Sequence, residues 1–131
     1  MSKASGLTFY GDIQKLDPVE DYLMVSGIAS TQAVDADGEV VTAEAMRKAL
    51  PSYLQAGTVR EMHQPIAAGK PVSAFVDDEG RTHFTAKIVD KDTIKKIKEG
   101  VLKGFSIGGR KIKKVGNQIT ELLLKDISVV D

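Results

Sequence analysis

The chain has 131 residues, 42% of them hydrophobic, and its 18 basic and 18 acidic residues cancel. That length supports one domain with a real core rather than two, and the zero net charge gives no reason to expect nucleic acid or an anionic membrane as the main partner. The absence of cysteine excludes disulfides and thiol catalysis and, with only two histidines, argues against a tetrahedral zinc site.

Charge is nonetheless segregated. Residues 87–114 carry ten Lys or Arg against three acids, and residues 17–44 carry seven acids and no base. Such blocks read first as solvated faces, or as one segment packed beside the other. The opening Met-Ser-Lys-Ala-Ser-Gly has no apolar signal segment, and no run approaches a membrane span, so a soluble, cytoplasmic protein is expected.

From Gly6 to Val34 the pattern predicts two strands joined by a turn at Leu16-Asp17-Pro18. Asp35-Ala36-Asp37-Gly38 is a turn. It is no EF-hand, because its glycine falls at the fourth loop position and Met46 occupies the twelfth, where a bidentate acid is required. Thr42 caps a helix running to Leu50, ahead of or just past Pro51, with Ala45, Met46, Ala49, Leu50 and Tyr53 at helical spacing, and Gly57 ends it. Thr58 to Gln64 should be extended, because Pro65 biases the residue before it toward β geometry, and His63 then sits near a strand end. Pro71 to Val76 and Thr82 to Val89 flank Asp77-Asp78-Glu79-Gly80 as a hairpin. A second helix starts at Asp92-Thr93, with Ile94, Ile97 and Val101 as its apolar stripe, Lys95, Lys96 and Lys98 facing water, and Gly104 as its stop. Phe105 to Val115 and Ile119 to Val130 are strands around a Gly116-Asn117 turn. About seven strands and two packed helices without βαβ alternation predict an α+β, mainly β fold: a largely antiparallel β-barrel forming a single domain over residues 1–131.

Two positions can do hydrolytic chemistry. In Gly104-Phe105-Ser106-Ile107-Gly108-Gly109, strand alternation puts Phe105 and Ile107 on one face and Ser106 on the other, between glycines that cannot cover its hydroxyl. The amides of Gly108 and Gly109 could form an oxyanion hole if the chain bulges there. The match to Gly-x-Ser-x-Gly is not a nucleophile elbow, since an elbow needs a helix after the serine and here a strand continues. A serine in a glycine-softened strand is the plainer alternative. His63 is a base of the right kind, or a strand-end histidine bonded to a carbonyl or water. His83 alternates away from Phe84, Ala86 and Ile88 and reads as a solvent-side residue. On the last strand, Leu122, Leu124, Asp126, Ser128 and Val130 share one face, so Asp126 needs a partner in an apolar row. His63 would be that partner if Asp126 orients the base for Ser106; a barrel-rim aspartate or a lysine pair is the alternative. Asp131 falls on the opposite face.

Three segments carry a resemblance: Val-Arg-Glu-Met-His-Gln at 59–64, Gly-Val-Leu-Lys-Gly-Phe-Ser-Ile-Gly-Gly at 100–109 and Glu-Leu-Leu-Leu-Lys-Asp-Ile-Ser-Val-Val-Asp at 121–131. Together they resemble the tailed-phage prohead (capsid maturation) proteases, especially the XkdF-like serine proteases, which are similar in fold to the herpesvirus assemblins. The resemblance implies an assemblin-like barrel and a serine endopeptidase with Ser106 as nucleophile, His63 as base and Asp126 as orienter, needing neither cofactor nor metal. It implies work inside the assembling procapsid in the host bacterial cytoplasm, cutting scaffold or major capsid protein extensions and the chain itself. A homodimer enters from the herpesvirus relatives alone. Relatives run on past the last strand with a Pro-Ala-Asn segment, so an end at Asp131 reads as a truncated or self-processed form. The rival from another class is a non-catalytic assembly module of the same fold that binds scaffold or capsid protein. A nucleic-acid-binding barrel using residues 87–114 is weaker, since Phe105 is the only aromatic in that span.

Overall fold

Strand and helix follow one another as β1 (Gly6–Pro18), β2 (Leu23–Ser30), β3 (Val40–Val41), α1 (Ala43–Ala56), β4 (Val59–Glu61), β5 (Ala67–Val76), β6 (Thr82–Ile88), α2 (Lys91–Lys98), β7 (Gly104–Val115) and β8 (Gln118–Val130) in the computed structural model of the protein, which describes residues 6–18 and 21–131. The expected signal-free opening segment and Glu20 of the acidic stretch lie outside the described residues. All eight strands join one sheet in the order β3-β8-β4-β5-β6-β2-β1-β7, and β7 pairs back onto β8. Seven strands therefore close into a barrel, and β3 is a two-residue addition to the edge of β8 that β4 occupies further along. The sheet is mixed: β3 and β4 run parallel to β8, and the other pairings are antiparallel.

The barrel interior follows from period-two alternation. Along β6, Thr82, Phe84, Ala86 and Ile88 are buried while the residues between them are half-covered. Phe84 meets Phe105 of β7 edge to face, with ring centroids 5.0 Å apart, and Tyr53 of α1 lies 6.3 Å from Phe84. These rings, with Val25, Ile88, Ile107, Ile127 and Val129, belong to one continuous core.

Helix α1 ends at Gly57 as expected, but it runs on unbroken past Leu50 to get there. The Thr42 hydroxyl accepts the Ala45 amide at 3.1 Å, as a cap should, but the helix continues through exposed Pro51 to Ala56. A proline inside a helix costs about 3 kcal/mol. Tyr53, two residues further on, offsets it: the side chain is 3% exposed, and its hydroxyl donates to the Thr58 carbonyl at 2.8 Å and accepts the Ile127 amide at 3.1 Å. Burying a large apolar side chain contributes ~1.5–3 kcal/mol and each hydrogen bond roughly 1 more. Burial pushes the Tyr53 hydroxyl far above the usual phenol range, so it keeps its proton as a donor.

Other boundaries also move. β1 extends through Pro18, which pairs with Leu23, so the chain reverses after the expected turn; a proline is tolerated at a strand end where no ladder amide is needed. Helix α2 is capped by Asp90, whose carboxylate accepts the Thr93 amide, and it ends at Glu99 and Gly100, not Gly104. Gly100 has φ +74°, a left-handed turn that stops the helix and swings Val101 out to 54% exposure. The buried row is thus Thr93 and Ile97, followed by Leu102.

The two charge blocks meet. Parallel pairing of β3 with β8 sets Glu39 beside β7, where its carboxylate lies 2.7 Å from the Lys111 ammonium and pairs with Lys114. The bonds from Lys111 and Lys114 outweigh burial and hold the Glu39 carboxyl below the ordinary value of 4.5. A group with a depressed folded pKa stabilises the fold above its unfolded pKa and loses that contribution as pH falls through the folded value. Glu39→Gln is therefore expected to lower unfolding free energy at pH 7 by about 1–2 kcal/mol, a figure reduced because Lys114 is half exposed. The gap from the parent should shrink on titration well below pH 4.5, as measured by urea unfolding at both pH values.

Candidate active site

Ser106 lies on the outer face of β7, its flanking Phe105 and Ile107 fully buried in the barrel, and it pairs across the ladder with Ser128 of β8. It is only 2% exposed because the segment after β4 folds over it. That segment is not the extended strand end expected. β4 stops at Glu61, and Met62 and His63 both adopt left-handed backbone, with φ +53° and +56°. The restriction imposed by Pro65 acts on Gln64 alone and does not reach back to His63. Left-handed backbone costs an L-residue roughly 1–2 kcal/mol, and three hydrogen bonds hold it here: Met62 N–H to the Val129 carbonyl at 2.9 Å, His63 N–H to the Ser128 hydroxyl at 3.1 Å and Gln64 N–H to the Glu61 carbonyl at 2.9 Å.

Asp126 reaches the same place through a bulge. Gly108 pairs with Asp126 and Gly109 with Leu124, so Lys125 is an extra residue in β8. The face changes at that point: Leu122 and Leu124 sit in the core before it, and Ile127 and Val129 sit in the core after it. Asp126 consequently leaves the apolar row in which simple alternation places it and joins Ser106 and Ser128 on the outer side. Bulges re-aim side chains in this way.

The structure brings the three predicted side chains together. His63 Nε2 is 2.9 Å from Ser106 Oγ, and His63 Nδ1 is 2.7 Å from Asp126 Oδ2. Burial works to raise the Asp126 carboxyl, but hydrogen bonds from His63 and Ser128, with the nearby Arg60 charge, win and keep it below its ordinary value. An ionised Asp126 accepts a proton-bearing Nδ1, which leaves the Nε2 lone pair facing the serine.

Gly108 lies directly beneath the imidazole–carboxylate contact. A Cβ there would stand 2.5 Å from Asp126 Oδ1 and 3.0 Å from His63 Nδ1. Gly108→Ala is expected to push the pair apart and to remove the downfield His63 Nδ1 proton signal in NMR, with the barrel retained by circular dichroism. Gly108 and Gly109 are paired on both sides, with Thr8 and Leu7 of β1 and with Asp126 and Leu124 of β8. The bulge expected in the serine strand lies instead in β8, whose Lys125 is the extra residue, so both glycines stay within the ladder.

Sequence reasoning missed two supports. Ser128, fully buried, donates to Asp126 Oδ2 at 2.7 Å and accepts the His63 amide; its signal was its place two residues after Asp126. Glu61, two residues before His63, is 7% exposed and accepts from Thr93 Oγ1 at 3.0 Å and Lys96 Nζ at 2.9 Å, so α2 anchors β4 and Lys96 is not simply a water-facing lysine. His83 is apart from the site, half exposed, stacked on Phe75 and bonded to Asp77 at 2.8 Å. Asp131 is exposed and meets Met62 through its backbone amide. Among the described residues one acidic cluster, Asp35, Asp37 and Glu39, has carboxylate oxygens within 4.8 Å of one another. Two of its carboxylates already have partners: Asp35 accepts from the Asp37 and Glu39 amides, and Glu39 pairs with lysines. A hollow of about 390 Å³ between β1 and α2, lined in part by Ile13, Ile97 and Leu102, contains none of the three site residues. No family model, curated protein or solved structure matches the chain.

Proposed function

We propose that this protein is a serine endopeptidase, and that its setting is phage procapsid maturation in the host bacterial cytoplasm. The observation that carries the enzymatic reading is the continuous line from Ser106 Oγ through the two nitrogens of His63 to Asp126 Oδ2, at 2.9 and 2.7 Å. The phage setting rests on the three resembling segments. In this reading Ser106 Oγ attacks the scissile carbonyl while its proton passes to His63 Nε2. Asp126 stabilises the imidazolium formed, and the amides of Gly108 and Gly109, paired within the ladder in this structure, would have to open toward the substrate to receive the oxyanion. His63 then protonates the leaving amine. A water gives a proton to His63 and its oxygen to the acyl carbon, releasing the second product as a carboxylic acid and returning the proton to Ser106. The substrates are extended segments of scaffold or major capsid protein.

One observation favours the other reading, a non-catalytic assembly module: Ser106 is 2% exposed, so a substrate must displace or slip past the covering segment to reach it. Two experiments separate the readings. Fluorophosphonate treatment followed by peptide mass spectrometry should find the adduct on Ser106, and a co-expressed scaffold protein should be cleaved. An unlabelled Ser106 together with an intact scaffold would overturn the enzymatic reading.

A further inference from the structure

We propose that Ser128 is a positioning residue of this site, one hydroxyl fixing both the backbone of the base and the carboxylate that orients it. The inference deepens the enzymatic reading and rests on His63 being its base. A serine hydroxyl has one proton and lone pairs to accept with. Here the partners decide their use: an ionised Asp126 can only accept, so the proton goes to Oδ2 at 2.7 Å, and the lone pair takes the His63 N–H at 3.1 Å. Ser128 is fully buried, so water does not substitute for either bond.

Two consequences follow for the chemistry. His63 holds a left-handed backbone, and Ser128 ties its amide from the strand next to Ser106. Oδ2 also receives both Ser128 O–H and His63 Nδ1–H, so the hydroxyl sets the carboxylate's rotation and favours its ionised form. Because Ser128 is two residues from Asp126 on β8 and the ladder partner of Ser106, it joins all three members to one strand pair. It does not touch the reacting atoms.

The experiment is Ser128→Ala in the full chain. The expected result is a fall in kcat of about 10–100-fold with KM little changed, reflecting loss of one bond to a charged group. Two readouts do not depend on turnover. In carbon-13 NMR the Asp126 carboxyl should titrate at higher pH than in the parent, and in hydrogen exchange the His63 amide should lose protection. The other titratable or charged groups facing Asp126, namely His63, Arg60 and Tyr53, are unaltered in the variant. A side chain that merely fills space would leave the Asp126 titration where it was. Unchanged titration and unchanged His63 protection in a folded variant would overturn the positioning role. If both readouts move but the parent hydrolyses no peptide, Ser128 positions the pair as proposed and the peptidase reading is the one that fails.

Discussion

On the proposed peptidase reading, Ser106→Ala should reduce peptide hydrolysis by about 10⁶-fold and leave the barrel folded. The size of the effect comes from the unit to which the hydroxyl belongs: once the nucleophile is gone, an oriented imidazole has nothing to activate, and the remaining rate reflects binding and oxyanion contacts alone. The small effect on the fold has a separate cause. Among the described residues Ser106 makes one side-chain bond, to His63, and its neighbours Phe105 and Ile107 carry the packing of β7, so unfolding free energy should change by roughly 1 kcal/mol. The non-additivity is a sharper check than the single variant. Adding His63→Ala to Ser106→Ala should cost almost nothing further, because each removal already disables the pair. A double variant far slower than either single one would mean that the two side chains act separately.

How much of this was legible in the sequence depended on whether a feature is fixed locally or by long-range pairing. The alternation of β6 and the opposition of Ser106 to Phe105 and Ile107 are period-two features, and they hold wherever the strand is regular. The two helices and the Asp77–Gly80 hairpin are also local, set by caps and turn residues. Asp126 was found for a partly mistaken reason. Its isolation among apolar residues pointed to a partner, yet the Lys125 bulge removes it from that row, and a bulge is set by the register of β8 against β7 rather than by the residues of β8 alone. The left-handed turn at Met62 and His63 was invisible for a related cause: neither residue favours positive φ, and two of the three bonds that hold it come from Ser128 and Val129, more than sixty positions away in the chain. Nor does periodicity report which strands pair in parallel. The β4–β8 pairing, which lays the histidine segment across the serine strand's neighbour, is a property of barrel closure.

Asp126→Asn should lower kcat by about 10⁴-fold at neutral pH, although the replacement differs from the parent by one group of nearly the same size. The reason is the proton on His63. A carboxylate can only accept, so it requires Nδ1 to carry hydrogen and leaves the lone pair on Nε2, 2.9 Å from Ser106 Oγ. A carboxamide can also donate. When its NH₂ takes the Oδ2 position, which Ser128 Oγ and His63 Nδ1 both meet at 2.7 Å, it donates to Nδ1 and moves the imidazole proton to Nε2, while the Ser128 hydroxyl turns to accept. The base then points its hydrogen at the nucleophile. The same substitution removes a carboxyl held below its ordinary value of 3.8 by His63 and Ser128 against the opposing effect of burial. That carboxyl stabilises the fold above pH 3.8 and ceases to as pH falls through its folded value, so the parent should outlast the variant in urea at pH 7 and lose that advantage in strong acid. Steady-state kinetics with a scaffold-derived peptide, beside urea unfolding at both pH values, checks the two halves independently. Parental turnover in the asparagine variant would mean that Asp126 does not set the histidine tautomer. An acid-independent stability gap would mean that its carboxylate is not the charged partner the 2.7 Å contact implies.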